Sequence, residues 1–232
     1  MKESSLNRIS IIIPTLNEAA CIGDLLKKCV DEFQPYELIV TDGGSADNTV
    51  EIAKQFALVY QTSKGRGQQL NFGAQKSTGD ILWFLHADTL PHPRSASEIQ
   101  TLLKDEKIIG GAFEYNLTSK NIWLRFFSHY SNFKNKLFNR VYGDMGIFIR
   151  RNVFKKMNGF KESMLMEDYA FGRELKKHGK IKILPLKIET SPRDWYKEGF
   201  IRKICKDTII KFAYKYKIEN QKLYNWYYGV KK

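Results

Sequence analysis

Three apolar runs of this chain end in polar, acid-bearing segments. Ile81-Leu82-Trp83-Phe84-Leu85 runs into His86-Ala87-Asp88, residues 9–13 run into Pro14-Thr15-Leu16-Asn17-Glu18, and Leu38-Ile39-Val40 runs into Thr41-Asp42-Gly43-Gly44-Ser45-Ala46-Asp47. Read as buried strands of an open α/β sheet, they deliver carboxylates to the crevice beyond the carboxyl ends of the strands, where such sheets bind ligands. His86 and Asp88 are two apart, so in an extended backbone both face the same side. A carboxylate at Asp88 suits Mg2+ or Mn2+, which keep waters and bridge phosphates. A departing diphosphate needs such a cation to offset its charge. Structural roles also fit: Asp88 as cap of the helix after Pro91, Asn17 as cap of a helix beginning at Glu18 or Ala19, and Asp42 with Ser45 as turn and cap residues.

Two further segments carry chemistry. Lys64-Gly65-Arg66-Gly67-Gln68 is basic and glycine-punctuated but lacks the P-loop spacing, which disfavours a nucleoside triphosphatase. It precedes a helix, so Arg66 or a backbone N–H there would meet a phosphate. Met166-Glu167-Asp168-Tyr169 opens a helix with two adjacent acids. Helix N-termini favour acids electrostatically, and Asp168 is equally a candidate general base for an attacking hydroxyl.

The elements that must position these groups are legible from periodicity. Short β-branched runs alternate with amphipathic stretches, the pattern of a mostly parallel sheet with helices on both faces. Strands are expected near residues 9–13, 37–41, 57–60 and 81–85, with helices near 19–33, 47–56, 66–76 and 93–104. After residue 107 come an aromatic segment (123–138), Gly143-Asp144-Met145-Gly146, and a strand at Ile147-Phe148-Ile149. No linker or repeat separates the halves. One α/β domain over residues 1–195 is expected, with 1–107 as the donor-binding half, 108–195 as the acceptor half, and 196–232 as a basic helical extension.

The 232 residues carry a net charge of +13 with 43% hydrophobic residues, a soluble globular composition that invites anionic partners. No apolar run approaches the roughly 20 residues that span a bilayer, and residues 1–8 lack the apolar core of a secretory signal. A cytoplasmic location is expected, with the protein peripheral on the inner face of the membrane if the basic tail docks there. Of the three cysteines, Cys21 and Cys29 would lie about 12 Å apart along a helix, too far to bridge, and all three read as reduced. From Lys197 onward ten basic residues face three acidic ones. A helix over 201–216 would put Ile201, Ile204, Cys205, Thr208, Ile209, Phe212 and Tyr216 on a stripe packed against the body. Arg202, Lys203, Lys206 and Lys217, with Ile210 and Tyr214, would then form an outer face suited either to solvent or to an anionic membrane.

Together these segments resemble the inverting family 2 glycosyltransferases of the GT-A fold, over residues 9–184. The Pro14-Thr15-Leu16-Asn17-Glu18 elbow is similar to the family's opening motif. The segment Val40-Thr41-Asp42-Gly43-Gly44-Ser45-Ala46-Asp47-Asn48-Thr49 is similar to its second signature. His86-Ala87-Asp88 occupies its Asp-x-Asp position, Gly143-Asp144-Met145-Gly146 resembles its acceptor-side loop, and Glu167-Asp168 its Glu-Asp pair. The resemblance implies donor contacts from Pro14, Thr15, Asn17, Glu18, Asp42 and His86, a divalent metal (Mg2+ or Mn2+) at Asp88, and catalysis by Asp168 with Glu167; Arg66 joins the donor site as a phosphate contact ahead of its helix, and Arg193, after the last core strand, is either a lid over the diphosphate or a surface arginine. His86 departs from the pattern, standing where an aspartate usually touches the ribose. A nucleoside-diphosphate sugar is the implied donor, and the acceptor, lipid-linked if the tail meets membrane, is unspecified. Two alternatives stay open: a nucleotide-sugar-binding protein without turnover, and a sugar nucleotidyltransferase, whose basic glycine-rich loop is missing after the first strand. Nucleic acid is not expected as a partner, because the strand ends are acidic and the basic residues crowd the tail.

Overall fold

A computed structural model describes residues 8–33, 37–162, 165–216, 218 and 220–229. Strands β1 (Ile9–Thr15), β2 (Glu37–Asp42), β3 (Leu58–Gln61) and β4 (Ile81–Phe84) are parallel and ordered β3-β2-β1-β4. Helices α1 (Ile22–Glu32), α2 (Thr49–Ala53) and α3 (Arg66–Lys76) make the crossovers. After β5 (Thr89–Leu90) and α4 (Ser95–Leu102), the second half adds β6 (Ile108–Leu117), α5 (Ile122–Leu137), β7 (Phe148–Arg150), α6 (Arg151–Lys156), α7 (Glu167–His178) and β8 (Lys180–Thr190). The sheet continues β4-β7-β6-β8-β5, with β7 antiparallel to both neighbours and β5 antiparallel to β8. Four of the seven pairings are parallel, so the sheet is mostly parallel, with the reversals confined to the second half.

Strand alternation divides the core. Ile9, Ile11 and Ile13 of β1, with Trp83 of β4, face a cluster closed by Ile22, Leu25 and Leu26 of α1 and Ile99 of α4. Ile12, Leu82 and Phe84 face the opposite cluster, closed by Leu70 of α3, Phe154 of α6 and Phe171 of α7. Every β1 residue from Ile9 to Ile13 is buried, which is why the run is continuously apolar: a strand covered on both faces has no side left for polar residues. Each fully buried Ile or Leu contributes about 1.5–3 kcal/mol, so these strands fix the sheet against slippage.

The C-terminal ends of β1 and β2 are locked by Gln69 of α3. Its side-chain amide nitrogen donates to the carbonyls of Thr15 (2.8 Å) and Thr41 (2.7 Å), and Gln69 is itself buried. The loops beyond are sewn together. Asn17 takes a left-handed backbone (φ +57°), donates its N–H to Ser45 Oγ (2.8 Å) and accepts from the Ala46 N–H (2.8 Å). The Glu18 N–H donates to Thr49 Oγ1 (2.8 Å) and the Ala19 N–H to Asp47 (3.1 Å). Asn17 therefore does not cap α1, which begins later, at Ile22.

The tail differs from its expected orientation. Helices α8 (Arg193–Glu198), α9 (Phe200–Lys215) and α10 (Asn220–Tyr228) close the chain, and α8 straddles the expected boundary at residue 195. Ile201, Ile209, Phe212 and Tyr216, assigned from periodicity to the packed face, are exposed, whereas Ile210 is buried against Leu165 and Leu223. Lys203 donates to Tyr227 (2.6 Å) and pairs with Asp207, and Lys206 pairs with Glu198 at 2.9 Å. The expected facing is therefore not observed: Lys203 and Lys206 are half-buried by their contacts with Tyr227 of α10 and Glu198 of α8, while Arg202 stays exposed. Lys217 lies outside the described residues. Cys21, Cys29 and Cys205 are free thiols.

Replacing Gln69 by Ala should cost about 1–3 kcal/mol by stranding acceptors of two strand ends. Urea unfolding at unchanged m-value would read it, and a variant as stable as the parent would refute the clamp.

Candidate functional site

The acidic segments meet at the carboxyl ends of β1, β2 and β4. Asp42 is completely buried, and its two carboxylate oxygens accept from Thr15 Oγ1 (3.0 Å), the N–H groups of Gly44 (2.9 Å) and Ser45 (2.8 Å), and the Ser45 hydroxyl. It organises the loop in the manner of an Asx turn. Glu18 points across the crevice and receives Arg193, the first residue of α8, at 3.0 Å. Pro14 is only partly covered, and Thr15 is buried.

Strand β4 ends at Phe84, and Ala87 and Asp88 form a turn closed by the Thr89 N–H and hydroxyl on the His86 carbonyl (3.2 and 2.6 Å). The extended geometry expected for His86 and Asp88 is therefore absent, and the two have different neighbours. Asp88 lies among Glu18, Arg193 and Asp194, and its carboxyl is pushed above the usual carboxylate range by burial and then by Glu18. It has no ion pair and no hydrogen-bonding side chain among the described residues. His86 sits under Gly143, where a Cβ would lie 2.7 Å from its Nε2 and 3.3 Å from the Asp168 Cβ. Burial, and then the nearby Arg66 cation, lower the imidazole to about 3, so His86 is neutral.

Asp168 is anchored at the start of α7. Its Oδ2 accepts from the Gly143 N–H (3.0 Å) and its Oδ1 from the Tyr169 N–H (2.6 Å). Met166 before it adopts φ +64°, a left-handed conformation that is uncommon for such a side chain and marks a constrained approach to the helix. Glu167 is 3% exposed and pairs with Arg66 at 3.2 Å; burial pushes its carboxyl upward. Arg66 is thus turned toward Glu167 and His86. Asp144, in the 3-10 turn Gly143–Met145, is raised to about 7 by burial, then by repulsion from Asp168, with Asp88 a smaller contributor. These mutual effects put Asp88, Asp144 and Asp168 in one electrostatic neighbourhood.

A basic chain has therefore gathered an acidic centre, which a cation would relieve. Among the described residues no three His, Cys, Asp or Glu side chains form a metal cluster. The donor set fits instead a cation that takes one carboxylate here and its remaining ligands from phosphate and water. Arg193 Nε is buried without a hydrogen-bond acceptor among the described residues and lies 3.9 Å from Asp194 Oδ1, with Asp88 in its electrostatic surroundings. A cavity of about 960 Å3 between α3 and α6, lined by Gln61, Phe72, Gln75, Arg151 and Lys155, contains none of these aspartates. Gln69 and Asp144 were not singled out from sequence. A glutamine inside a helix has no signal, and only the flanking glycines of Gly143-Asp144-Met145-Gly146 mark the other.

Known proteins share this fold. The family model for Glycosyl transferase family 2 matches residues 10–158. Glycosyltransferase AglE of Haloferax volcanii is 31% identical over 180 residues, covering 71% of this chain and 56% of that protein. The chain spans little more than half the length of the first curated relatives it matches. Among solved structures, S. aureus TarS superposes with a TM-score of 0.64 at 16% identity, covering 82% of this chain and 38% of TarS. The mannosyltransferase PcManGT of Pyrobaculum calidifontis, solved with GDP-Man and Mn2+, superposes with a TM-score of 0.63 at 18% identity, covering 78% and 56%. With the GT-A architecture and a family match over more than half of its length, this chain belongs to glycosyl transferase family 2.

Proposed function

We propose that the chain transfers a sugar from a nucleoside-diphosphate sugar to an acceptor hydroxyl, with inversion at the anomeric carbon. The observation that carries this reading is the juxtaposition of an unpaired, partly desolvated Asp88 with Arg193 and a separately anchored Asp168. A carboxylate that would hold a divalent cation, beside an arginine, suits a diphosphate, and a second carboxylate suits the attacking hydroxyl.

In this reading the base and ribose lie against Pro14, Thr15, Asn17 and the loop that Asp42 holds. With both oxygens already taken, Asp42 acts on the base by shaping that loop. His86, neutral, offers a ring nitrogen to a sugar or ribose hydroxyl. Glu18 holds Arg193 over the diphosphate, and Arg66 keeps Glu167 in place beside the reacting centre. Asp168 accepts the acceptor hydroxyl proton as the new oxygen–carbon bond forms and the bond from the anomeric carbon to the phosphate oxygen breaks, releasing the nucleoside diphosphate. The N–H groups of Gly143 and Tyr169 fix the carboxylate for this step. Asp88 would hold Mg2+ or Mn2+, which supplies positive charge to offset the leaving diphosphate.

Calorimetric titration with UDP, GDP and their sugar conjugates, with and without Mn2+, should give metal-dependent binding of one nucleotide, lost in Asp88→Ala. Failure of the parent to bind any of them would overturn the reading. Asp168→Asn should keep donor affinity while nucleoside-diphosphate release falls about 10^2- to 10^4-fold; an unchanged rate would remove Asp168 as base. Asp144 is protonated in the fold up to about pH 7 but ionises near its ordinary value of 3.8 when unfolded. Its contribution is therefore present at low pH and lost as pH rises toward 7. Asp144→Asn should match the parent near pH 4 and exceed it by about 1–2 kcal/mol at pH 8, read as thermal midpoints; a gap independent of pH would show that Asp144 ionises freely.

A further inference from the structure

Helix α5 is turned inside out relative to an ordinary surface helix. Its inward face is largely polar and hydrogen-bonded: Asn132 accepts from the Tyr115 N–H (3.1 Å) and donates to the Tyr115 carbonyl (2.8 Å), and Ser128 Oγ accepts from the Leu117 N–H (3.2 Å). Its outward face carries Ile122, Trp123, Phe126, Tyr130, Phe133 and Leu137, which are 52% to 72% exposed. At about 100° per residue these six fall within a sector of roughly 100°. Six large apolar groups in one such stripe are more than scattered surface hydrophobics and mark an interaction face.

The charge around the stripe selects the partner. Residues 118–143 contain Lys120, Arg125, Lys134, Lys136 and Arg140 and no Asp or Glu, and of these cations Lys136 is paired with Glu114 of β6. A second copy placed against this face would oppose cation to cation. Anionic lipid headgroups complement it, each nearby Lys or Arg adding to the attraction, while Trp and Tyr suit the boundary between headgroups and acyl chains. No helix among the described residues is long and apolar enough to cross a membrane, so α5 would lie in the interfacial plane. Next to it, α9 meets α5 through Phe200 against Phe127 (6.0 Å) and bears the exposed row Ile201, Ile209, Phe212 and Tyr216.

We propose that the outward face of α5 docks on an anionic lipid bilayer, its apolar row entering the headgroup boundary and its flanking cations meeting lipid phosphates. This moves the membrane contact from the basic side of the tail, where Lys203 and Lys206 are paired internally, to the acceptor half of the sheet. It is independent of the donor chemistry. Because α5 leads into the turn that carries Gly143 and Asp144, docking brings the crevice close to the bilayer, where a lipid-linked acceptor would enter.

The test is co-sedimentation of the full chain with phosphatidylcholine vesicles, with and without phosphatidylglycerol. The expected result is binding to the anionic vesicles, weakened by salt, about tenfold weaker on neutral vesicles, and accompanied by a blue shift of tryptophan emission. Phe126→Glu with Phe133→Glu should lose at least about tenfold in binding while keeping the parent's thermal midpoint. Lys134→Glu with Arg140→Glu, which leaves the apolar row intact, should lose a similar factor. Absence of binding to anionic vesicles, or binding indifferent to both pairs of substitutions, overturns the proposal. So does a dimer, seen by sedimentation equilibrium, that Phe126→Glu with Phe133→Glu dissociates, since that assigns the face to a second copy.

Discussion

The crevice depends on a buried amide. Gln69 holds the ends of β1 and β2 by two hydrogen bonds from one nitrogen, and everything polar in the first two loops is hung from those ends. Asp42 then receives Thr15 across the strand pair, Asn17 receives Ala46, and Asp47 receives Ala19. Such a lattice is rigid because each member is already satisfied; a ligand meets loops that need no reorganisation. Polar residues that look like ligand contacts in the sequence are here partly consumed in holding one another.

The regular elements were legible because their burial is lopsided in a simple way. A strand covered on both faces must be apolar throughout, and the runs at residues 9–13 and 81–85 are. Helices α1 and α3 were found within a few residues for the corresponding reason: their stripes have one core to face. The site was legible as far as chain order allows, since acids after apolar runs converge whenever the runs are parallel neighbours. What escaped depends on contacts between distant segments. The facing of α9 could not be read from periodicity, because both of its sides carry apolar and basic residues and only Asp207, Tyr227 and Glu198 decide which turns inward. The early end of β4 also escaped, because the two-residue β5 that pulls the chain away pairs with β8, a hundred residues later.

Charge is arranged against the overall sign of the molecule. The net +13 draws anions generally, yet the crevice concentrates Glu18, Asp88, Asp144, Glu167 and Asp168, of which Asp88, Asp144 and Glu167 have their acidity weakened by burial. Arg66 and Arg193 stand at the two sides, each paired to one glutamate. Asp88, Asp144 and Asp168 are thereby left without an ion pair among the described residues, while Glu18 and Glu167 each hold an arginine. His86 suits this division: an aspartate beside Asp168 and Asp144 would have added a further negative charge to a crowded pocket, and a neutral imidazole does not.

The pairing of Glu18 with Arg193 joins residues 175 positions apart. During synthesis at about 5–20 residues per second, the three parallel strands around β1 are available long before α8 exists. The loops after β1 and β2 thus precede both Asp168 and Arg193 in the chain. The order of translation therefore makes the pairing of Glu18 with Arg193 a contact that waits on the synthesis of α8.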